Sequence, residues 1–284
     1  MKIYLDTDEL YQAELYEHKL ATILGRGKRL KRMLRAFPTE YEFKQASIPE
    51  ISQALKIKNP NSKILSQLKK LDQTYQRLMT PKFGTALSNA PEAETIMCID
   101  TEYLWSDLDS IQYAIKSNQE WKLGILFTNS DLAPAISASK GIKILEDIIN
   151  EVKPDIFVGH NFNCDITVLE KVYGTKIDCL HNYDDTMKMV RKSHVSNIIG
   201  GASLDRIIEK IFSDDTVGLI NAYQDLDDFI KYGLKDAIYP IYAREYFMTG
   251  KLPLIDSKLK IDKVVQSEVR DLIDFQFIYL GRKD

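Results

Sequence analysis

Long apolar runs are missing from this chain of 284 residues: nowhere does one approach the roughly 18 residues that a membrane-spanning helix needs. Cysteine is scarce too. Three thiols (Cys98, Cys164, Cys179) are an odd number with no Cys-x-x-Cys pair, so neither a disulfide framework nor a cysteine-based zinc site is expected. Acids enter almost at once (Asp6, Asp8, Glu9), which argues against a secretory signal peptide. There is no internal repeat and no low-complexity tract. The expectation is a cytoplasmic protein with no membrane contact. What is present is ordinary globular composition, 44% hydrophobic and 28% charged, which excludes a wholly disordered chain. The length suits one large domain or two modest ones.

The net charge of -3 hides an asymmetry. Residues 1–90 carry 16 Lys/Arg against 9 Asp/Glu, and residues 91–284 carry 22 against 32. A basic front on an acidic body reads either as a set of solvated helix faces or as a front that meets a polyanion. In the second case, carboxylates facing a polyanion make sense only with metal ions between them.

Four stretches organise the chain: a helical basic module over 1–80, a linker over 81–93, an α/β domain over 94–250 and a C-terminal extension over 251–284. Residues 6–24 read as an amphipathic helix ending near Gly25, followed by the densest basic run, Arg26 to Arg35. Ser47-Ile48-Pro49-Glu50 offers an N-cap with proline in the first turn. A second helix runs from Ile64 to Leu78 after the break at Asn59-Pro60-Asn61-Ser62. The pair resembles a helix-turn-helix, although most helical hairpins are only structural. Beyond the linker, Thr95–Ile99, Ile111–Lys116 and Trp121–Thr128 read as three antiparallel strands, the first stopping at Asp100. Helix 139–152, strand Asp155–Gly159, helix Ile166–Tyr173, a strand closing at Asp185 and helices Leu204–Phe212 and Leu226–Met248 complete a mixed α/β layer fold.

Acids recur at the ends of these elements. Asp100 and Glu102 are two apart on an extended chain, so both carboxylates face one side. Asp165 falls in the first turn of the helix after Val158-Gly159-His160-Asn161, where an acid also simply complements the helix dipole. Tyr232 and Asp236 share one face of the late helix at i and i+4. That last spacing is weak on its own, since four of the 15 tyrosines satisfy it, Tyr223 among them. The ordered conjunction is what carries weight.

Taken in order, Asp100-Thr101-Glu102-Tyr103, Gly159-His160-Asn161…Asp165 and Tyr232-x-x-x-Asp236-Ala237 resemble the exonucleases with a three-part Asp-x-Glu, Asp, Tyr-x-x-x-Asp signature. That group includes ribonuclease D and the proofreading domains of DNA polymerases. The resemblance covers residues 94–248, and nothing comparable is recognised in residues 1–90. The variant with histidine five residues before the last acid is disfavoured, because that position is Lys231.

The resemblance implies an α/β fold, a ribonuclease H-like mixed five-stranded sheet with flanking helices, beside the mostly helical N-terminal module. It also implies a metal-dependent 3′→5′ exonuclease that releases nucleoside monophosphates from single-stranded nucleic acid, DNA slightly ahead of RNA. Two Mg²⁺ ions, with Mn²⁺ as substitute, suit oxygen-only ligands and in-line phosphodiester cleavage. Asp100 would bridge both ions, Glu102 and Asp236 would hold the nucleophile-side ion, and Asp165 would support the other. Tyr232 would orient the attacking water. Asn161 is implied to position the terminal nucleotide, whereas a structural hydrogen bond is the expectation for His160. Asp185-Thr186 reads as a supporting pair or a plain strand cap. Cys98 and Cys164 are expected to pack as small apolar residues. Lys28, Arg29, Lys31 and Arg32 are candidate substrate-binding cations, and the N-terminal module is also a candidate protein-docking arm. The alternative from another class is a catalytically inactive nucleic-acid-binding regulator or docking subunit of a larger nucleic-acid-processing complex.

Overall fold

In the computed structural model, residues 7–104, 107–118, 120–129, 133, 135–216, 218–253 and 277–280 are described. The chain divides into two compact units, Met1–Pro81 and Lys82–Asp284. No helix among the described residues is long and apolar enough to cross a membrane.

The first unit is all helix: α1 (Thr7–Leu24), α2 (Lys28–Ala36), α3 (Glu40–Gln45), α4 (Ile48–Leu55), α5 (Lys63–Lys69) and α6 (Leu71–Met79). Capping boxes start α3 and α4, Thr39 with Glu42 and Ser47 with Glu50. The basic run is a helix because Leu30, Met33 and Leu34 recur at i, i+3 and i+4 and turn inward. The helix expected over Ile64–Leu78 is two. Lys70 leaves the helical region (φ −115°, ψ 45°), and Thr74 Oγ1 donates to the Gln67 carbonyl across the break. Tyr16, Leu20, Met33, Leu65 and Leu68 form the centre of this unit's core.

The second unit is built on a mixed sheet: β1 (Thr95–Leu104), β2 (Asp107–Ser117), β3 (Glu120–Phe127), β4 (Ile156–Gly159), β5 (Tyr183–Asp185) and β6 (Phe277–Leu280). Their order across the sheet is β5-β4-β1-β2-β3-β6. β1, β2, β3 and β6 pair antiparallel in turn, whereas β4 and β5 run parallel to β1. The five expected strands are joined by β6, which returns from the stretch read as an extension; residues 254–276 and 281–284 of that stretch lie outside the described residues. β1 does not stop at Asp100 either. Its ladder with β2 continues to Leu104, because Asp100 and Glu102 stay paired while their side chains leave the apolar pattern.

Helices cover both faces of this sheet: α7 (Ala138–Val152), α8 (Asn163–Tyr173), α9 (Thr186–Lys192), α10 (Val195–Ile199), α11 (Leu204–Ile207, continued by a π turn to Phe212), α12 (Leu219–Ala222) and α13 (Leu226–Thr249). Alternation along β1 assigns the faces. Ile96 and Cys98 pack with Phe229, Leu234 and Ala237 of α13, while Met97 and Ile99 pack with Ile142 of α7 and Ile166 of α8.

The 81–93 stretch is not a free linker; from Lys82 on it belongs to the second unit. Lys82 N donates to the Ser193 carbonyl and Gly84 N to the Phe247 carbonyl. Buried Asp184 accepts from Ser88 Oγ (2.5 Å) and Asn89 N (2.7 Å) and pairs with buried Arg244 at 2.8 Å. Arg244 in turn reaches Ser88 Oγ (2.9 Å) and the Ala90 carbonyl. A buried carboxylate needs such a set of donors.

Candidate metal centre

The period of two along β1 sends Asp100 and Glu102 to the α13 face and Thr101 to the α8 face. α13 crosses the first face and supplies Tyr232 and Asp236. It lies close because Gly233 has no side chain: a Cβ there would sit 2.6 Å from Cγ of the fully buried Gln112. Pro240, four residues on, has no N–H to offer the Asp236 carbonyl. Oxygen atoms of Asp100, Glu102 and Asp236 come within 4.8 Å of one another. The Tyr232 phenol lies beside Glu102 and Asp236 and favours the charged form of both carboxyls.

On the other side of the strand, Asp165 is fixed by Thr101. The backbone N of Thr101 (3.0 Å) and its Oγ1 (2.7 Å) both donate to Asp165 Oδ1. Three of the four expected acids therefore form one cluster. The fourth stands beside it, held by its neighbour on β1, with its charge acting on Asp100 more than any other.

Electrostatics set this site apart from the rest of the molecule. Burial, then the charges of Asp165, Asp236 and Glu102, raise the Asp100 carboxyl well above the usual range. Burial likewise raises Glu102, Asp165 and Asp236, opposed by Tyr232 and by the hydrogen bonds from Thr101. The Tyr232 phenol is pushed far above its ordinary value by burial and then by Asp236, Glu102 and Asp100. It cannot serve as a base near neutral pH. Buried Asp100 Oδ2 has no hydrogen-bond donor. An orphaned carboxylate oxygen among like charges is an unfavourable arrangement that a hard divalent cation relieves, and an all-oxygen donor set is what Mg²⁺ or Mn²⁺ prefers.

The remaining candidates fall around this cluster or away from it. Asn161 is exposed on the turn between β4 and α8, in the left-handed region (φ 61°), with its N donating to Asp185 Oδ1 and its amide to Cys164 Sγ. Asp185 also caps α9, so it serves both as strand cap and as support for that turn. His160 hydrogen-bonds Thr186 Oγ1 at 3.0 Å, and Thr186 donates onward to the Gly159 carbonyl. Burial depresses the imidazole to about 4, which favours its neutral form, and its buried Nε2 has no hydrogen-bond partner. Cys98 is buried as expected, but Cys164 is exposed and does not pack as an apolar residue. Lys28, Arg29, Lys31 and Arg32 lie in the first unit on α2.

Several residues escaped sequence reasoning. Thr101 is the unspecified residue between the two acids. Ser110 and Gln112 stand opposite Glu102 and Asp100 on β2, and Gln112 Nε2 donates to Ser110 Oγ at 2.8 Å. Asp109 occupies the irregularity in the β1–β2 register and accepts from Tyr223 at 2.8 Å. The signal for these was the polar alternation Asp107-Leu108-Asp109-Ser110-Ile111-Gln112, inside what became β2.

No protein family, no curated protein and no solved structure matches this chain at a significant level.

Proposed function

We propose that the second unit is a metal-dependent 3′→5′ exonuclease of ribonuclease H-like fold, acting on single-stranded nucleic acid and releasing nucleoside monophosphates. The observation that carries this reading is the convergence of carboxylate oxygens of Asp100, Glu102 and Asp236 within 4.8 Å of one another, in a site where one Asp100 oxygen has no donor. The sheet is compatible with it: an antiparallel β1–β2–β3 meander extended by parallel β4 and β5.

Asp100, Glu102 and Asp236 are the residues that would hold divalent cations, with Asp165 in support. Bound cations would supply Lewis-acid stabilisation of the phosphate and a more acidic water. The chain's own part is to fix the geometry. Tyr232, protonated throughout the working range beside Glu102 and Asp236, directs the water that attacks the phosphate. Thr101 holds Asp165 in one orientation. An inactive regulator of the same fold has no need of such a cluster, which costs stability through repulsion when metal-free.

The test is incubation of the purified chain with Mg²⁺ or Mn²⁺ and single-stranded DNA or RNA labelled at the 5′ end. A ladder shortening from the 3′ end, release of monophosphates and complete block by EDTA are expected. Intact substrate with both metals and both nucleic acids overturns the proposal in favour of the binding-only reading.

A further inference from the structure

Four of the nine acids in the first unit are engaged within it. Glu40 and Asp72 pair with Lys19 and Lys44 at 2.6 to 3.1 Å, and Glu42 and Glu50 are held in capping boxes. α2 is treated differently. It carries Lys28, Arg29, Lys31, Arg32 and Arg35 and no acid, and none of these five pairs with an acid among the described residues. At about 100° per residue the five cations spread over an arc of roughly 160°, opposite the inward-facing Leu30, Met33 and Leu34. Lys28/Lys31, Lys28/Arg32, Arg29/Arg32 and Lys31/Arg35 are like charges at i, i+3 or i, i+4, each of which works against the helix. Among the described residues, the stripe on this helix is left unneutralised.

We infer that the exposed face of α2 is a docking surface for the sugar–phosphate backbone of a nucleic-acid strand, gripping it without reading its sequence. This rests on the proposed function only for the kind of polyanion. From Lys28 to Arg35 the helix rises about 10 Å, the axial length over which one strand presents about three phosphates. A membrane surface suits the face poorly, because the apolar side of α2 is used in the core and none is left to insert. The assignment also moves the contact away from the α4–α5 hairpin, whose second helix has only seven residues.

The experiment is fluorescence anisotropy of a labelled single-stranded oligonucleotide with the full chain in EDTA, from 50 to 200 mM salt. Two variants of equal net charge are compared: K28Q/K31Q/R32Q/R35Q on α2, and K56Q/K58Q/K63Q/K69Q around the hairpin. With about 0.7 of log–log slope per neutralised phosphate and about three phosphates engaged, wild-type affinity falls roughly 20-fold over this range, and that of the α2 variant falls about 3-fold. The hairpin variant keeps most of the wild-type slope. Circular dichroism verifies both folds, and K28R/K31R keeps binding if charge is what matters. Equal losses in the two variants, or an unchanged slope in the α2 variant, overturn the inference. So does preferential capture of phosphatidylserine vesicles or polyglutamate. Cleavage by the same preparation in Mg²⁺ separates the two ideas: binding through α2 without cleavage removes only the exonuclease, and cleavage with an unchanged α2 variant removes only the docking face.

Discussion

Thr101 gives two hydrogen bonds to a single oxygen of Asp165, one from its backbone and one from its side chain. The residue between the two acids of the first motif thereby orients the acid of the second. Each donated bond stabilises the charged carboxylate, so deleting one raises a carboxyl that burial has already raised. Thr101→Val should cut turnover roughly 10-fold, the scale of one positioned hydrogen bond of about 1.5 kcal/mol. The acid limb of the pH–rate profile should move to higher pH, and Thr101→Ser should restore both. An unshifted limb in the valine variant would separate Thr101 from Asp165.

Tyr232 and Tyr223 share the Tyr-x-x-x-Asp spacing and do different work. Tyr232 lies beside Glu102 and Asp236, whereas Tyr223 donates to buried Asp109 at 2.8 Å and packs on Phe229. Tyr232→Phe should lower turnover by roughly 10- to 1,000-fold with little change in nucleic-acid binding. Tyr223→Phe removes a donor from a buried carboxylate, so it should cost about 1–3 kcal/mol of stability. Single-turnover kinetics and thermal melts of the two variants read these effects separately. A reversed pattern would exchange the two roles.

The acid cluster makes metal-free stability depend on pH in a defined direction. Folding raises Asp165 and Asp236 to about 7 and Glu102 to about 8. Carboxyls raised above their ordinary values near 4 favour the fold at low pH, and that contribution is lost as pH climbs through 7 to 8. His160 acts the opposite way: its folded value of about 4 lies below the ordinary 6.5, so its contribution is lost as pH falls between these. Only the carboxylates act above 6.5. In EDTA, Tm should therefore fall from pH 6.5 to pH 8, and saturating Mg²⁺ or Mn²⁺ should flatten the slope by replacing protons with metal. Asp100→Asn should raise the metal-free Tm at pH 8 and abolish cleavage. A flat Tm in EDTA would mean that the carboxylates are not strained.

Much of the second unit was legible because its elements obey clean periods. β1, β4 and α13 carry uninterrupted apolar patterns, and the acids stand where those patterns break. Thr101, Ser110, Gln112 and Asp109 were not legible, since their meaning comes from register. Asp100 meets Gln112 and Glu102 meets Ser110 only once β1 and β2 have paired. The boundary at Asp100 was drawn too early for a related reason: loss of hydrophobicity marks a change of surroundings as well as the end of a strand. In the first unit the charge of Arg26–Arg35 concealed a helix, because Leu30, Met33 and Leu34 are few among so many cations. The strand at 277–280 carried a signal that went unread, the short β-prone run Phe277-Ile278-Tyr279-Leu280 closed by Gly281.

Gly233 offers a test in which local and tertiary physics predict opposite signs. It is buried in the interior of α13, where alanine would ordinarily stabilise a helix by about 1 kcal/mol. A methyl group there would lie 2.6 Å from Cγ and 2.9 Å from Nε2 of Gln112, which is itself fully buried and has little room to move. Overpacking of this kind costs about 1–3 kcal/mol and is relieved by shifting the helix away from the sheet. Tyr232 and Asp236 travel with that shift while Asp100 and Glu102 stay on β1. Gly233→Ala should therefore lower Tm and cut turnover at least 10-fold, since displacements of an ångström at a positioned site are that costly. Shortening the partner in the same background, Gly233→Ala with Gln112→Ala, should recover part of both losses by opening the space that the methyl group needs. A rise in Tm for Gly233→Ala alone would show that α13 is not held against β2 at this point, and that the approach of Asp236 to Asp100 has another cause.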